Sequence, residues 1–144
     1  QVVPGIAPGV AAVRIKGAKV EQVAAFSSTD GEWHPQALRE PTDDAIPQYG
    51  PGLVAYPIGR RVYAFSATAN RWDVLELHGD LKAWASTYPT RLRNMMADPD
   101  APLSFQNDSI MCQDEHKLHI FSGQAGTWTS IDIEPPVAAE KPNP

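Results

Sequence analysis

The stretch FSATANRW, residues 65–72, decides the fold, because the chain writes its pattern three times. Phe-Ser, five residues and Trp recur at 26–33 and at 121–128. The position two residues before each Trp holds Gly31, Asn70 or Gly126. Glycine and asparagine adopt a left-handed backbone at the lowest cost, and a five-residue hairpin loop commonly needs one such position. We therefore predict three equivalent hairpin turns with positive φ.

Alternating apolar residues on both sides of the pattern predict β-strands. In the second copy these residues are Val62 with Ala64 and Leu75 with Leu77, and residues two apart on a strand point to the same face. A third apolar strand, 53–56 in this copy, leads into the pattern. The sequence thus predicts one all-β repeat domain over 1–133, with repeats at about 10–38, 52–77 and 108–133.

Two of the copies, VYAFSATANRWDVLEL (62–77) and LHIFSGQAGTWTSIDI (118–133), resemble the second half of a kelch-type β-propeller blade. VAAFSSTDGEWHPQAL (23–38) resembles it less closely, and the Gly-Gly pair that kelch blades carry after their second strand is missing. The resemblance implies three propeller-like antiparallel blades. Because aligned aromatic residues most often pack between blades, we expect the three Phe and three Trp residues of the pattern to be buried.

Three blades do not close a ring, since propellers have four to eight, and an open end would expose apolar sheet faces. We therefore expect self-association, most simply a homodimer with six blades around one axis. The ring could also be completed if this chain is one part of a larger ring that supplies the remaining blades. The alternative fold is a closed threefold arrangement resembling a β-trefoil, which needs no partner.

An insertion breaks the repeat between the second and third copies. The three Phe residues of the pattern lie 39 and then 56 residues apart, so the second interval holds 17 more residues, within about 79–103. Asp80 precedes apolar residues at i, i+3, i+4 and i+7, a pattern that predicts a short helix ended by Pro89. Its apolar residues are Leu81, Trp84, Ala85 and Tyr88. We interpret this segment as a helical flap that packs on the sheets; the alternative is a loop that binds a partner or gates a ligand.

Composition sets limits on partners and location. The formal net charge of −5 argues against nucleic acid, whose binding depends on basic contacts. No apolar run is long enough to predict a transmembrane helix. The single cysteine, Cys112, lies in an apolar strand and is predicted to be a buried small side chain. The chain starts at Gln1 rather than Met, which is compatible with a secreted or periplasmic product, and the compartment stays open.

Candidate ligand-binding residues lie in the loops between the second and third strands of each unit. They are Lys16, Lys19, Arg60, Arg61, Glu115 and His116. Propeller-like rings commonly bind ligands on the face that these loops build, although ordinary polar hairpin turns have the same composition. The Pro-rich tail, 134–144, is predicted to be disordered or a linker.

The sequence suggests little catalytic chemistry. His116 and His119 lie three apart on a strand and should face opposite sides, so they do not predict a metal site. Cofactor fingerprints and nucleophile motifs are missing, and we predict no metal, no cofactor and no catalytic residue.

We predict a non-catalytic binding or scaffold module that recognises a peptide or carbohydrate through its hairpin-loop face. The alternative is an enzyme acting on a glycan or polysaccharide in a propeller-type central funnel. Such an enzyme needs two converging titratable groups with separated pKa values, and only Glu115 and His116 suggest such a pair.

Overall fold

The computed structural model describes residues 4–16, 21–39, 46–86 and 88–133. Within them, twelve strands form three four-stranded antiparallel sheets. The first sheet contains β1 (Pro4–Ala7), β2 (Val10–Lys16), β3 (Glu21–Ser27) and β4 (Glu32–Ala37). The middle sheet contains β5 (Gln48–Gly50), β6 (Leu53–Ile58), β7 (Arg61–Ser66) and β8 (Arg71–Glu76). The last sheet contains β9 (Ser104–Gln106), β10 (Ser109–Gln113), β11 (Lys117–Ser122) and β12 (Thr127–Asp132).

Each sheet is a meander in which neighbours in sequence are neighbours in space. The repeats keep one register: Phe26 pairs with Trp33, Phe65 with Trp72, and Phe121 with Trp128. The sheets therefore share one design, and each has one strand more than the three that alternation predicts. The all-β repeat prediction is confirmed.

The sheets stack face to face in chain order, and two apolar clusters fill the junctions between them. The inner strands of neighbouring sheets touch (β1 with β5, β5 with β9), and so do the outer strands (β4 with β8, β8 with β12). In each sheet we call the side with the Phe and Trp of the pattern the aromatic face, and the opposite side the aliphatic face. The middle and last sheets each place their aromatic face on the aliphatic face of the preceding sheet.

This directional stack leaves two faces without a neighbouring sheet among the described residues. They are the aromatic face of the first sheet and the aliphatic face of the last sheet. Phe65 and Phe121 are fully buried, as expected, and Trp72 and Trp128 are partly buried in the junctions. Phe26 is only half-buried and Trp33 is 53% exposed. The expectation of burial is wrong for Trp33, because no sheet covers its face.

The predicted turns are confirmed. Gly31, Asn70 and Gly126 have φ of 70°, 56° and 69°. The three sites differ in their surroundings, however. A Cβ on Gly31 would meet no atom within 4 Å, whereas a Cβ on Gly126 would lie 2.8 Å from Ala69 Cβ and 2.5 Å from Arg71 Cγ. Of the two glycine turns, that of the last sheet is pressed against the neighbouring sheet and that of the first sheet is open.

Two kinds of hydrogen bond join neighbouring sheets, and each occurs at both junctions. The Ser of the pattern donates to a main-chain oxygen of the next sheet: Ser27 Oγ to Ala67 O (3.0 Å) and Ser66 Oγ to Gly123 O. The Trp of the pattern donates back to the preceding sheet: Trp72 Nε1 to His34 O (2.7 Å) and Trp128 Nε1 to Asp73 O (3.3 Å). The Phe-Ser…Trp pattern therefore encodes the sheet-to-sheet contact as well as the hairpin.

At the inner edge of the junction between the middle and last sheets, a glycine is needed for close approach rather than for positive φ. A Cβ on Gly50, on β5, would lie 2.7 Å from Cδ2 of Phe105 on β9. Gly50 thus lets the two inner strands approach closely.

The helix predicted after Asp80 is wrong. Residues 84–86 form a turn, and the one described helix, α1 (Thr90–Arg93), begins after Pro89 rather than ending at it. The main chain of Lys82 pairs with Gln113 at the end of β10 (N to O, 2.9 Å). The side-chain amide of Gln113 donates to Ala83 O and Trp84 O, carbonyls that a helix would need for itself. No described helix is long and apolar enough to span a membrane.

Candidate functional site

The antiparallel meanders bring several loops to one end of the stack. In each sheet the second strand ends there and the third strand begins there, and each outer strand ends there before its connection to the next inner strand. We call this the hairpin-tip end. The insertion, 79–103, is one of these connections, so it lies at the same end as the predicted ligand-binding loops.

The structure brings together the hairpin tips of the middle and last sheets. Arg60 Nη2 lies 3.9 Å from Asp80 Oδ1 at the start of the insertion. A Cβ on the neighbouring Gly79 would lie 3.6 Å from Glu115 Cγ. Arg60, Glu115 and Asp80 are exposed, so they form a solvated patch of mixed charge.

Arg61 makes its described contact elsewhere. Arg61 Nε binds Glu76 Oε2 (2.7 Å) across the β7–β8 ladder. His116 is exposed beside Glu115. Lys16 ends β2, and its side chain lies outside the described residues, as does all of Lys19.

A cleft of about 340 Å³ opens where the inner strands β5 and β9 meet the insertion. Three aromatic residues line it: Tyr49 on β5, Phe105 on β9 and Trp84 from the insertion. Its polar lining residues are Gln48, Ser104 and Asp98. Gln48 and Ser104 are the first residues of β5 and β9, which places the cleft at the hairpin-tip end.

The insertion is held in place as a wall of this cleft. Trp84 N donates to Ala101 O (2.9 Å), and Trp84 Nε1 donates to Asp98 O (3.2 Å). Trp84 also stacks edge-on against Tyr88, with ring centroids 5.6 Å apart. Two segments of the insertion, at Trp84 and at 98–101, are thus held together by one main-chain bond and one indole bond.

Tyr49 lines the cleft, but its side chain packs on the other side of the middle sheet, against the apolar cluster between the first and middle sheets. Its hydroxyl is buried and has no hydrogen-bond partner among the described residues. Burial raises the pKa of Tyr49, so the hydroxyl stays protonated at neutral pH and can donate or accept a hydrogen bond. A buried hydroxyl without a partner costs free energy, and this one lies in the junction with the first sheet rather than in the cleft.

Sequence reasoning missed every residue that lines this cleft as a ligand site. The inner strands β5 and β9 have three residues each, too few to show alternation. The one usable signal was the insertion itself, since a segment that interrupts a structural repeat is where function is most often placed.

A second polar cluster lies inside the β10–β11 hairpin. Asp114 is buried, and its carboxylate accepts bonds from the main-chain N–H groups of His78, His116 and Lys117 and lies 3.0 Å from His119 Nε2. Burial alone would raise the pKa of Asp114, but these hydrogen bonds outweigh it and hold the pKa well below its usual range. Asp114 therefore anchors the hairpin and the start of the insertion as a fixed negative charge.

This cluster has the order carboxylate, imidazole, hydroxyl. His119 Nδ1 lies 2.6 Å from Ser130 Oγ on the outer strand β12, and the His119 ring is buried. The carboxylate of Asp114 is already occupied by three main-chain N–H groups, and the aromatic cleft lies at the inner strands, away from Ser130. We interpret the cluster as structural; labelling of Ser130 by a serine-directed fluorophosphonate would reverse this interpretation.

Cys112 is buried in the junction between the middle and last sheets. Burial, with a smaller effect of Asp114, raises its pKa to about 12, so the thiol is protonated and unreactive at neutral pH. The prediction of a buried apolar role is confirmed.

Within the described residues, no group of three or more His, Cys, Asp or Glu side chains is placed to hold a metal ion. No protein-family model matches the sequence, and a search of curated proteins finds no match. The resemblance to kelch blades stays a prediction.

Proposed function

We propose that this chain is a non-catalytic binding module that takes a carbohydrate in the cleft at its hairpin-tip end. The observation that carries the proposal is the aromatic lining of the cleft, built by two inner strands and the one segment that departs from the repeat. Its volume of about 340 Å³ falls within the range of small-molecule sites, about 300–1,000 Å³. That size suits one or two sugar rings.

The chemistry of the lining favours a carbohydrate over a peptide. The apolar face of a pyranose stacks on aromatic rings such as Trp84 and Phe105. Its hydroxyls need both acceptors and donors, which Asp98 and Gln48 supply. A peptide remains the second ligand class, because the exposed charges of Arg60 and Glu115 flank the same end of the stack.

We also propose that the stack is part of a propeller-like ring. The support is its geometry: four-stranded meanders stacked face to face, with the cleft at the inner strands. A closed barrel of the β-trefoil kind requires ladders between units, and every described ladder between strands lies within one unit. The axis of the ring would then run past the cleft.

Glycan and peptide arrays followed by calorimetry test the binding proposal. Trp84→Ala should weaken binding of a selected oligosaccharide by about 100-fold, as for a central aromatic contact. Because Trp84 also fastens the insertion, Gln48→Ala provides a second cleft variant, with an expected loss of about tenfold. Leu92→Ala is the matched control, since Leu92 is exposed on α1 and does not line the cleft.

Each variant should first be compared with the unchanged chain by thermal unfolding. Binding that survives both cleft substitutions, or arrays on which the chain retains no glycan, would contradict the proposal. Retention of peptides alone would move the assignment to the peptide class.

The enzyme alternative has less support. Glycoside hydrolysis uses a pair of carboxyl groups flanking the bond, and Asp98 is the one carboxylate among the described residues that line the cleft. Release of reducing ends from a bound oligosaccharide, lost in Asp98→Asn, would establish an enzyme instead.

A further inference from the structure

We infer that a second copy of this chain covers both open faces, with the aromatic face of each first sheet placed on the aliphatic face of the other copy's last sheet. The inference rests on the ring arrangement proposed above and names the partner and the register of contact. Two such head-to-tail junctions would join two stacks of three sheets into one closed stack of six.

The internal junctions show what each open face is built to meet. Phe65 and Trp72 pack on the aliphatic face of the first sheet, and Phe121 and Trp128 pack on that of the middle sheet. Phe26 and Trp33 form the same pair, with ring centroids 5.5 Å apart. The open faces therefore continue an interface that the chain already uses twice.

On these two faces, the donors that correspond to the sheet-joining hydrogen bonds lack an acceptor among the described residues. Trp33 Nε1 has no acceptor among the described residues, although its counterparts Trp72 and Trp128 donate to the residue after the preceding Trp. By the same register Trp33 would donate to Thr129 O of the second copy. Ser122 Oγ accepts from Ala125 N (3.0 Å) but donates to no described acceptor. Since Ser27 and Ser66 donate to the residue after the next Ser of the pattern, Ser122 would donate to Ser28 O of the second copy.

Charge also separates the open faces from a solvated surface. The strand registers place no Lys, Arg, Asp or Glu on either open face within the described strands. The charged strand residues of these sheets lie on the covered sides, for example Arg14 on the first sheet and Lys117 on the last. A sheet face that meets water commonly carries charged residues, and both open faces lack them. The open face of the first sheet is apolar apart from Gln22. That of the last sheet combines Ser, Thr and Gln with Met111, Leu118, Ile120 and Ile131.

Large apolar residues are exposed on both faces, beside polar ones such as Thr129 and Gln106 on the last sheet. On the first sheet Ile6 is 81% exposed and Trp33 is 53% exposed; on the last sheet Ile131 is 63% exposed. The insertion covers one corner of the last sheet, where Gln113 and Ser104 are buried, and leaves Ile120 and Ile131 on the two outermost strands uncovered. The junction would thus be centred on Trp33 and the outer strands.

Sedimentation of the full chain, with two substitutions made separately, tests the inference. The unchanged chain should have twice its 15.7 kDa mass at micromolar concentration. Trp33→Arg and Ile131→Arg should each raise the dissociation constant by at least about 100-fold, as for truncation of a central contact. Met95→Arg is the matched control, because Met95 is 78% exposed but lies on the insertion, and it should change nothing.

Mixing the two variants distinguishes head-to-tail contact from like-with-like contact. In a mixed dimer, the Ile131→Arg chain keeps an intact first sheet and the Trp33→Arg chain keeps an intact last sheet. These two faces form one undamaged junction, so the mixture should associate more strongly than either variant alone. A dimer that survives one of the two substitutions, or a mixture no stronger than its components, would overturn the inference.

Failure of this inference is separable from failure of the binding proposal. A single chain in solution that still binds oligosaccharide would overturn the second copy and leave the binding module standing. A dimer that is weakened by Trp33→Arg and Ile131→Arg but binds no ligand would support the second copy and overturn the binding module. The two results are independent because all described residues of the cleft belong to one chain.

Discussion

The aromatic pair of the first sheet and that of the middle sheet differ in burial, although they have the same internal geometry. Phe26 and Trp33 have ring centroids 5.5 Å apart, and Phe65 and Trp72 have them 5.3 Å apart. Phe65 is nevertheless fully buried, whereas Trp33 is 53% exposed. The pattern fixes the pairing across the hairpin, and the neighbouring sheet decides how much of that pair leaves water.

The largest effect should come from truncating the two Phe residues. Phe65→Ala should lower the free energy of unfolding by about 4 kcal/mol, because it empties a filled junction. Phe26→Ala should lower the free energy of unfolding by about 2 kcal/mol, because the Phe26 side chain buries less apolar area than Phe65 does. Urea unfolding at a concentration where the chain is dissociated measures both. Equal losses would show that the first sheet is covered within a single chain.

The second comparison concerns the hairpins of the middle and last sheets. Tyr63 occupies the buried position of β7 and accepts a bond from Arg39 N (3.1 Å), whereas its counterpart on β11 is His119 beside Asp114. Asp114→Asn should cost about 3 kcal/mol at pH 7, since it places an amide N–H against donors that a carboxylate satisfied. Asp132→Asn is the control, because Asp132 is exposed and should change stability little.

The same carboxylate predicts a pH dependence. The folded-state pKa of Asp114 is lowered, so the folded state binds fewer protons than the unfolded state near pH 4. Its stabilisation is therefore complete at neutral pH and is lost as pH falls below the unfolded value of about 3.9. Between pH 5 and pH 3 the unchanged chain should lose stability more steeply than Asp114→Asn. Parallel curves would assign the acid sensitivity to other carboxylates.

The smallest effect should separate the turns. Gly31→Ala should cost about 1 kcal/mol, the price of a left-handed backbone alone. Gly126→Ala should cost about 2 kcal/mol, because the new methyl group also meets Ala69 Cβ at 2.8 Å. Thermal unfolding of the two variants measures the difference. If Gly31→Ala proved the more damaging, the junction at Gly126 would have to be loose.

The sequence predicted the long strands and their turns because both leave local signals. Alternation marks β7 and β8, and a residue tolerant of positive φ marks each turn. The inner strands escaped notice since three or four residues carry no readable period. They contribute four of the nine residues that line the cleft, so the fold was more predictable than the candidate site.

The insertion shows why a local pattern can mislead. Its apolar spacing suits a helix, but Gln113, more than 25 residues further along the chain, binds the main-chain carbonyls first. Such long-range competition overrides helix propensity and has no signature in a local window. Burial of Trp33 was mispredicted for a related reason, as it depends on a neighbouring sheet that the described residues do not supply.

Gly50 decides how closely two sheets meet at their inner edge. With no side chain between β5 and Phe105, the two inner strands lie in contact, as the outer strands β8 and β12 do. Because Phe105 also lines the cleft, a larger residue at position 50 would displace its ring. One substitution, made outside the lining residues, would then loosen the junction and reshape the cleft together.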